Sequence, residues 1–327
     1  MSDSPTLIFT PGAWHRPTCY TKVMTALQEQ YNITCTSFAL PSTNGDPKAT
    51  FKDDLDAARA TISSETIQGH NVILIAHSYG GMVVNSAIKG FTEPRGITKD
   101  ASKPAQGRVI GLILIASGFT LTGLSFMDPL FGIPPPTWRV NKATGFADIV
   151  TSPAQLFYHD LPADEAEEWV AQLTPQSLKA LFEGGEHSYA GWLDVPVLYI
   201  GTVEDQGLPV LVQRAHVGMA RAMGASVVHR ELRSSHSPFL SQPDEVVDLL
   251  LEATTAFTGS TVGVEEFQGP EGRREVLTPA VTIGQPSTWL KYGIPLVIGH
   301  IIGRCILLFY ATRGLRRSAT AANMKAD

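Results

Sequence analysis

Val72-Ile73-Leu74-Ile75-Ala76-His77-Ser78-Tyr79-Gly80-Gly81 is the stretch on which the reading of this chain turns. The apolar run Val72 to Ala76, rich in β-branched residues, suits a strand buried on both faces. Met82 to Ile88 then reads as a helix. A serine on the tight turn between such a strand and such a helix forms a nucleophile elbow. The turn is so sharp that its flanking positions must be small. Ala76 and Gly80 occupy them, so the pattern is A-x-S-x-G rather than G-x-S-x-G. This geometry lifts the Ser78 hydroxyl above the sheet and aims the Tyr79 backbone N–H at the same spot.

Working outward, residues 6–10, 33–38, 71–76, 109–115, 196–201 and 226–231 read as strands. Helical patterns fall at 18–30, 50–66, 81–89, 208–222 and 243–256. Strands alternating with helices predict a mostly parallel sheet with helices on both faces. The rhythm breaks between about 120 and 187, where Gly, Pro and aromatics precede helical patterns at 163–172 and 175–183. Such an insertion predicts a helical cap over the C-terminal edge of the sheet. Residues 259–288 read as a linker or irregular arm, and 289–327 as an apolar segment with a basic tail.

A serine hydroxyl needs a base to take its proton, and the base needs an acid to orient it. In this architecture the chain order is Ser, then Asp or Glu, then His. Asp205, in Gly201-Thr202-Val203-Glu204-Asp205, follows one predicted strand; His236, in Ser234-Ser235-His236-Ser237-Pro238, follows the next. Both loops then lie on the sheet edge that carries Ser78, where open α/β sheets place their chemistry. His216 and His229 fall inside helix and strand patterns, and Glu204 reads as a surface carboxylate. His77 reads as a structural or pocket-wall residue. An oxyanion hole needs a second backbone donor besides Tyr79. The loop Thr10-Pro11-Gly12-Ala13-Trp14-His15 supplies it, with Ala13 as the donor and Gly12 allowing close approach. Trp14, His15, Phe126 and Trp138 are the candidate substrate contacts.

On the PGAWH loop, AHSYGG, the Asp205 loop and SHSPFLSQP, residues 6–256 resemble the α/β-hydrolase superfamily. More narrowly they resemble its compact methylesterase and hydroxynitrile-lyase-like branch, and hydrolases of fungal natural-product pathways. The resemblance implies an α/β-hydrolase domain over 1–258 and acyl transfer by Ser78, Asp205 and His236, with no cofactor and no metal. The substrate class is a small apolar ester, lactone or thioester. Release or cyclisation of an acyl chain is the alternative, and a non-enzymatic receptor is the least favoured reading. The first loop of that branch usually begins H-G-A, and Pro11 stands at the His position here. Lyases of the branch place a lysine after the catalytic histidine. Ser237 stands there in this chain, which argues against cyanohydrin chemistry.

The 43% apolar content and net charge of −6 fit a globular protein without a nucleic-acid footprint. Three scattered cysteines, Cys19, Cys35 and Cys305, and no secretory pattern at the start fit a cytoplasmic protein. Tyr292 to Ala311 is apolar over 20 residues, long enough for a bilayer, and basic residues follow it. Arg304 and His300 near its middle weigh against spanning. An interfacial helix or an arm packed on the domain are the other readings, so membrane contact through 292–311 stands as an open expectation. Oligomeric state is not read from the sequence.

Overall fold

The computed structural model describes residues 4–92, 106–259, 275–278, 281–282, 285–295, 297–299, 301–302, 304–305 and 309. The chain begins with β1 (Thr6–Thr10), α1 (Thr21–Tyr31), β2 (Cys35–Ser37), α2 (Phe51–Ile67), β3 (Val72–His77), α3 (Gly80–Ala87) and β4 (Val109–Ile115). An inserted region follows: β5 (Trp138–Asn141), β6 (Phe146–Ile149), α4 (Pro153–Phe157), α5 (Ala163–Ala171), β7 (Gln176–Ser177) and α6 (Leu178–Phe182). The chain then returns to the sheet with β8 (Val197–Thr202), α7 (Val210–Ala222), β9 (Val227–Leu232), α8 (Pro238–Ser241) and α9 (Pro243–Phe257).

Six strands form one parallel sheet in the order β2-β1-β3-β4-β8-β9. In β3, Leu74 and Ala76 pack with α2 and α3 on one face, while Ile73 and Ile75 pack with α1 and α9 on the other. Burial on both faces is why the strand is apolar throughout instead of alternating. α2 opens on a capping box: Thr50 Oγ1 accepts from the Asp53 amide, and the Asp53 carboxylate accepts from the Thr50 amide at 2.8 Å.

The strand order fixes where a site can form. From β1 the chain moves outward to β2, then crosses back to β3 on the other side of β1. That reversal leaves a crevice at the C-terminal ends of β1 and β3, where open α/β sheets bind ligands. Five non-glycine residues have positive φ among the described residues, and three of them, Trp14, Ser78 and Ala116, lie just past β1, β3 and β4. Backbone strain is concentrated at that edge.

The inserted region differs from an all-helical cap. Alongside α4, α5 and α6 it holds a three-stranded antiparallel sheet, β5-β6-β7. Trp138 pairs with Ile149 and Asn141 with Phe146, around a turn closed by Gly145 N–H to Asn141 at 2.9 Å. Gln176 and Ser177, inside the expected helix 175–183, pair with Ala147 and Phe146, so α6 starts only at Leu178. The expected helix 18–30 likewise opens with a 3-10 turn, Pro17–Tyr20, before α1.

After α9 the chain returns to the sheet edge. Val276 N–H donates to His229 of β9 at 2.8 Å, and Arg221 of α7 reaches the carbonyls of Val276 and Thr278 and the Glu275 carboxylate. Tyr292 is buried, whereas among the described residues after it Ile294, Val297, Ile298, Ile301, Ile302 and Phe309 are exposed. Among the described residues no helix is long and apolar enough to cross a membrane. The basic residues from Arg313 onward, and His300 within the apolar run, lie outside the described residues. Cys19 and Cys35 are buried and Cys305 is exposed; all three are free thiols.

Candidate active site

From Val72 to Ile88 every residue is buried except Ser78. Its φ of 51° is the left-handed turn that forces one side chain out of an otherwise sealed stretch. The turn is pinned on both sides. Ser78 N–H donates to the Ile115 carbonyl at 3.1 Å, and Ser117 Oγ donates to the Ser78 carbonyl at 2.6 Å. A Cβ at Gly80 would collide with the Pro11 carbonyl, so only glycine lets the first loop lie against the elbow. A Cβ at Gly12 would fall 3.0 Å from Ser78 Cβ and 2.8 Å from His77 Nδ1. The first loop is therefore seated directly over the serine. Tyr79, the residue entering α3, is fully buried.

Asp205 and His236 meet across the loops after β8 and β9. His236 Nδ1 lies 2.7 Å from Asp205 Oδ2. The carboxylate accepts four further bonds: from the Gly207 and Leu208 amides at 2.7 Å each, from Thr202 Oγ1 at 2.7 Å and from Gln213 Nε2 at 3.1 Å. With five donors around it, the carboxylate is fixed in place. It holds the His236 proton on Nδ1 and leaves the Nε2 lone pair free to take a proton. Glu204 instead pairs with Arg233 at 2.8 Å on the surface. His229 lies in β9 and His216 in α7, and burial depresses the pKa of both.

His77 is buried beneath the elbow. Its Nε2 faces the His236 carbonyl at 2.9 Å and so must carry the proton. Burial first, then the neighbouring histidines, hold its pKa well below the usual range, so it stays neutral. His15 has both nitrogens engaged. Nδ1 donates to the Ala13 carbonyl at 2.7 Å, and Nε2 accepts from Tyr158 OH at 2.9 Å. Burial lowers its pKa to about 4. A neutral His15 thus braces the peptide of the expected oxyanion donor and has no nitrogen left for a substrate. That sets it apart from the other three expected contacts. Trp14 and Trp138 meet edge to face at 6.1 Å, and Phe126 packs edge to face on Tyr79 at 5.4 Å.

Several supporting residues escaped the sequence reading. Thr202, Gln213 and Ser117 act only through contacts the fold creates. The cap also reaches the histidine loop. Asp160 accepts from the Ser235 amide at 2.8 Å, Ser235 Oγ donates to the Phe157 carbonyl at 2.8 Å, and the Phe157 ring lies 5.7 Å from that of His236. Tyr79 OH donates to Asp54 at 2.8 Å, and burial raises that carboxyl to about 6.

A profile of the Alpha/beta hydrolase family matches residues 7–249. Among curated proteins, "Alpha/beta hydrolase nvfD" of Aspergillus novofumigatus is 26% identical over 253 residues, covering 76% of this chain and 96% of its own. Methylesterase 17 of Arabidopsis thaliana is 26% identical over 265 residues, covering 75% of this chain and 88% of its own. Among solved structures, a pyrethroid hydrolase from Sphingobium faniae JZ-2 aligns with a TM-score of 0.59 at 20% identity, covering 77% of this chain and 98% of that one.

Proposed function

The chain belongs to the alpha/beta hydrolase family, and from that premise we propose that it hydrolyses a carboxylic ester, lactone or thioester of a small apolar metabolite through an acyl-enzyme on Ser78. The observation that carries this reading is the isolated exposure of Ser78 in the sealed stretch 72–88, combined with the Asp205–His236 hydrogen bond of 2.7 Å. His236 Nε2 takes the hydroxyl proton as Ser78 Oγ bonds to the acyl carbon. The carbonyl electrons move onto oxygen, facing the backbone N–H groups of Ala13 and Tyr79. When the tetrahedral species collapses, His236 returns the proton to the leaving oxygen or sulfur. Water then repeats the sequence on the acyl-enzyme. Each oxyanion donor contributes roughly 3 kcal/mol in such sites.

The preference for an ester is supported by the likeness to a methylesterase. The aromatic residues Trp14, Phe126 and Trp138 support an apolar acyl or alcohol group. An internal hydroxyl in place of water would make the same acyl-enzyme cyclise its chain. Label uptake from isotopic water into the acid product separates the two outcomes.

The test is covalent. A fluorophosphonate probe should add once to the intact protein, with the adduct on the peptide containing Ser78. Ser78→Ala should take no label and lose about 10⁴-fold or more in kcat on the true substrate. A wild-type chain that stays unlabelled would remove the acyl-enzyme reading.

A further inference from the structure

The C-terminal segment and the turn 128–133 of the inserted region present exposed apolar side chains. Ile294, Val297, Ile298, Ile301 and Ile302 are 48–56% exposed. Their spacing (i, i+3, i+4, i+7, i+8) puts them on one side of a helical stretch. The second patch is the turn 128–133. Phe131 is 91% exposed, flanked by Leu130 and Ile133 at about half exposure. Its φ of 53° is costly for an aromatic residue, and the turn is rigidly built. Phe131 N–H donates to Asp128, Gly132 N–H to Met127, and Ile133 N–H to Leu130, all within 3.0 Å. The two patches are joined: the Arg304 guanidinium donates to the Pro134 carbonyl, one residue from Ile133.

Charge selects the occupant. Residues 289–327 hold six Lys and Arg and a single acid, Asp327, in a chain whose net charge is −6. Trp289, half-exposed, opens the segment, and tryptophan favours the headgroup layer of a bilayer. We propose that the Phe131 turn and the 294–302 face together seat the protein on the surface of an anionic phospholipid bilayer. It lies on the membrane without crossing it, with the cap turned toward the lipid. An apolar substrate partitioned into that lipid would meet the enzyme on its cap side.

The test is flotation of the full chain with vesicles of phosphatidylcholine alone and of phosphatidylcholine containing roughly 30% phosphatidylserine. The chain should rise with the serine-containing vesicles, and 0.5 M salt, on the order of a 4 Å screening length, should weaken that association. Ile294→Asp/Ile298→Asp and, separately, Phe131→Asp should each lower the bound fraction about tenfold. All three positions are exposed, so circular dichroism melting should match the wild type. A chain that stays at the bottom with both vesicle types overturns the proposal. So does lipid binding that neither variant alters, and so does a dimer on sizing that these substitutions dissociate while vesicles recruit nothing.

Discussion

At the residue scale, histidine is used in two opposite ways in the candidate site. His236 is oriented by a carboxylate and keeps a free nitrogen. His15 and His77 are held neutral by burial and act through their hydrogen bonds. Neutrality has a linkage consequence. The ordinary pKa of His15 is 6.5 and its folded value about 4, so the unfolded chain binds a proton in that window that the folded chain refuses. Stability from this source is full above pH 6.5 and is lost as pH falls toward about 4. His77 and His229 shift in the same direction. Asp54, raised to about 6 by burial, acts oppositely and gains for the fold as pH falls. His15→Gln can keep both hydrogen bonds while removing the titration. Between pH 7 and 5 it should lose roughly 2 kcal/mol less stability than the wild type, measured by urea unfolding at each pH. An equal loss in both proteins would show that His15 does not titrate as its burial requires. Ser78, Asp205 and His236 were legible in the sequence because each sits in a short loop after an obvious strand. Thr202 and Gln213 were not. Their role depends on β8 and α7 converging on one carboxylate, a relation no local pattern encodes.

At the scale of elements, the strands were the clearest part of the sequence. A parallel sheet buried on both faces demands unbroken apolar runs, and β3, β4 and β8 supply them. The cap sheet was hidden for the converse reason. β5 and β6 have four residues each and β7 two, too short to establish a period against their Pro- and Gly-rich surroundings. The segment 275–278 was equally silent in sequence, yet it lies along β9 and covers an edge strand that would otherwise be free on one side. Arg221 clasps it. The guanidinium donates to the carbonyls of Val276, Thr278 and Val227 and pairs with Glu275 at 2.7 Å. Arg221→Ala leaves those carbonyls unanswered and should destabilise the protein by about 2 kcal/mol in urea unfolding. Proteolysis should then cut first within 260–288. An unchanged midpoint would mean the strap adds no stability.

At the scale of the whole molecule, the site is assembled from parts far apart in sequence, and the cap is built into it. Trp14 Nε1 donates to the Ala147 carbonyl at 3.0 Å, and the Thr174 amide donates to the Trp14 carbonyl at 2.9 Å, tying the first loop to the cap sheet. Asp160 ties the cap to the histidine loop. Any motion of the cap therefore shifts the first loop and the loop that carries His236. The three thiols carry a different message. Burial pushes the Cys35 thiol up to about 12 and the Cys19 thiol higher still, so neither ionises near neutral pH. Cys305 stands open on the apolar C-terminal segment. A maleimide should add one mass increment to the native chain and three after denaturation, read by intact mass. More than one native adduct would contradict the sealed interior. The chain thus carries a built-in attachment point for a polarity-sensitive dye, and its emission colour would report what surrounds that segment without altering a single residue.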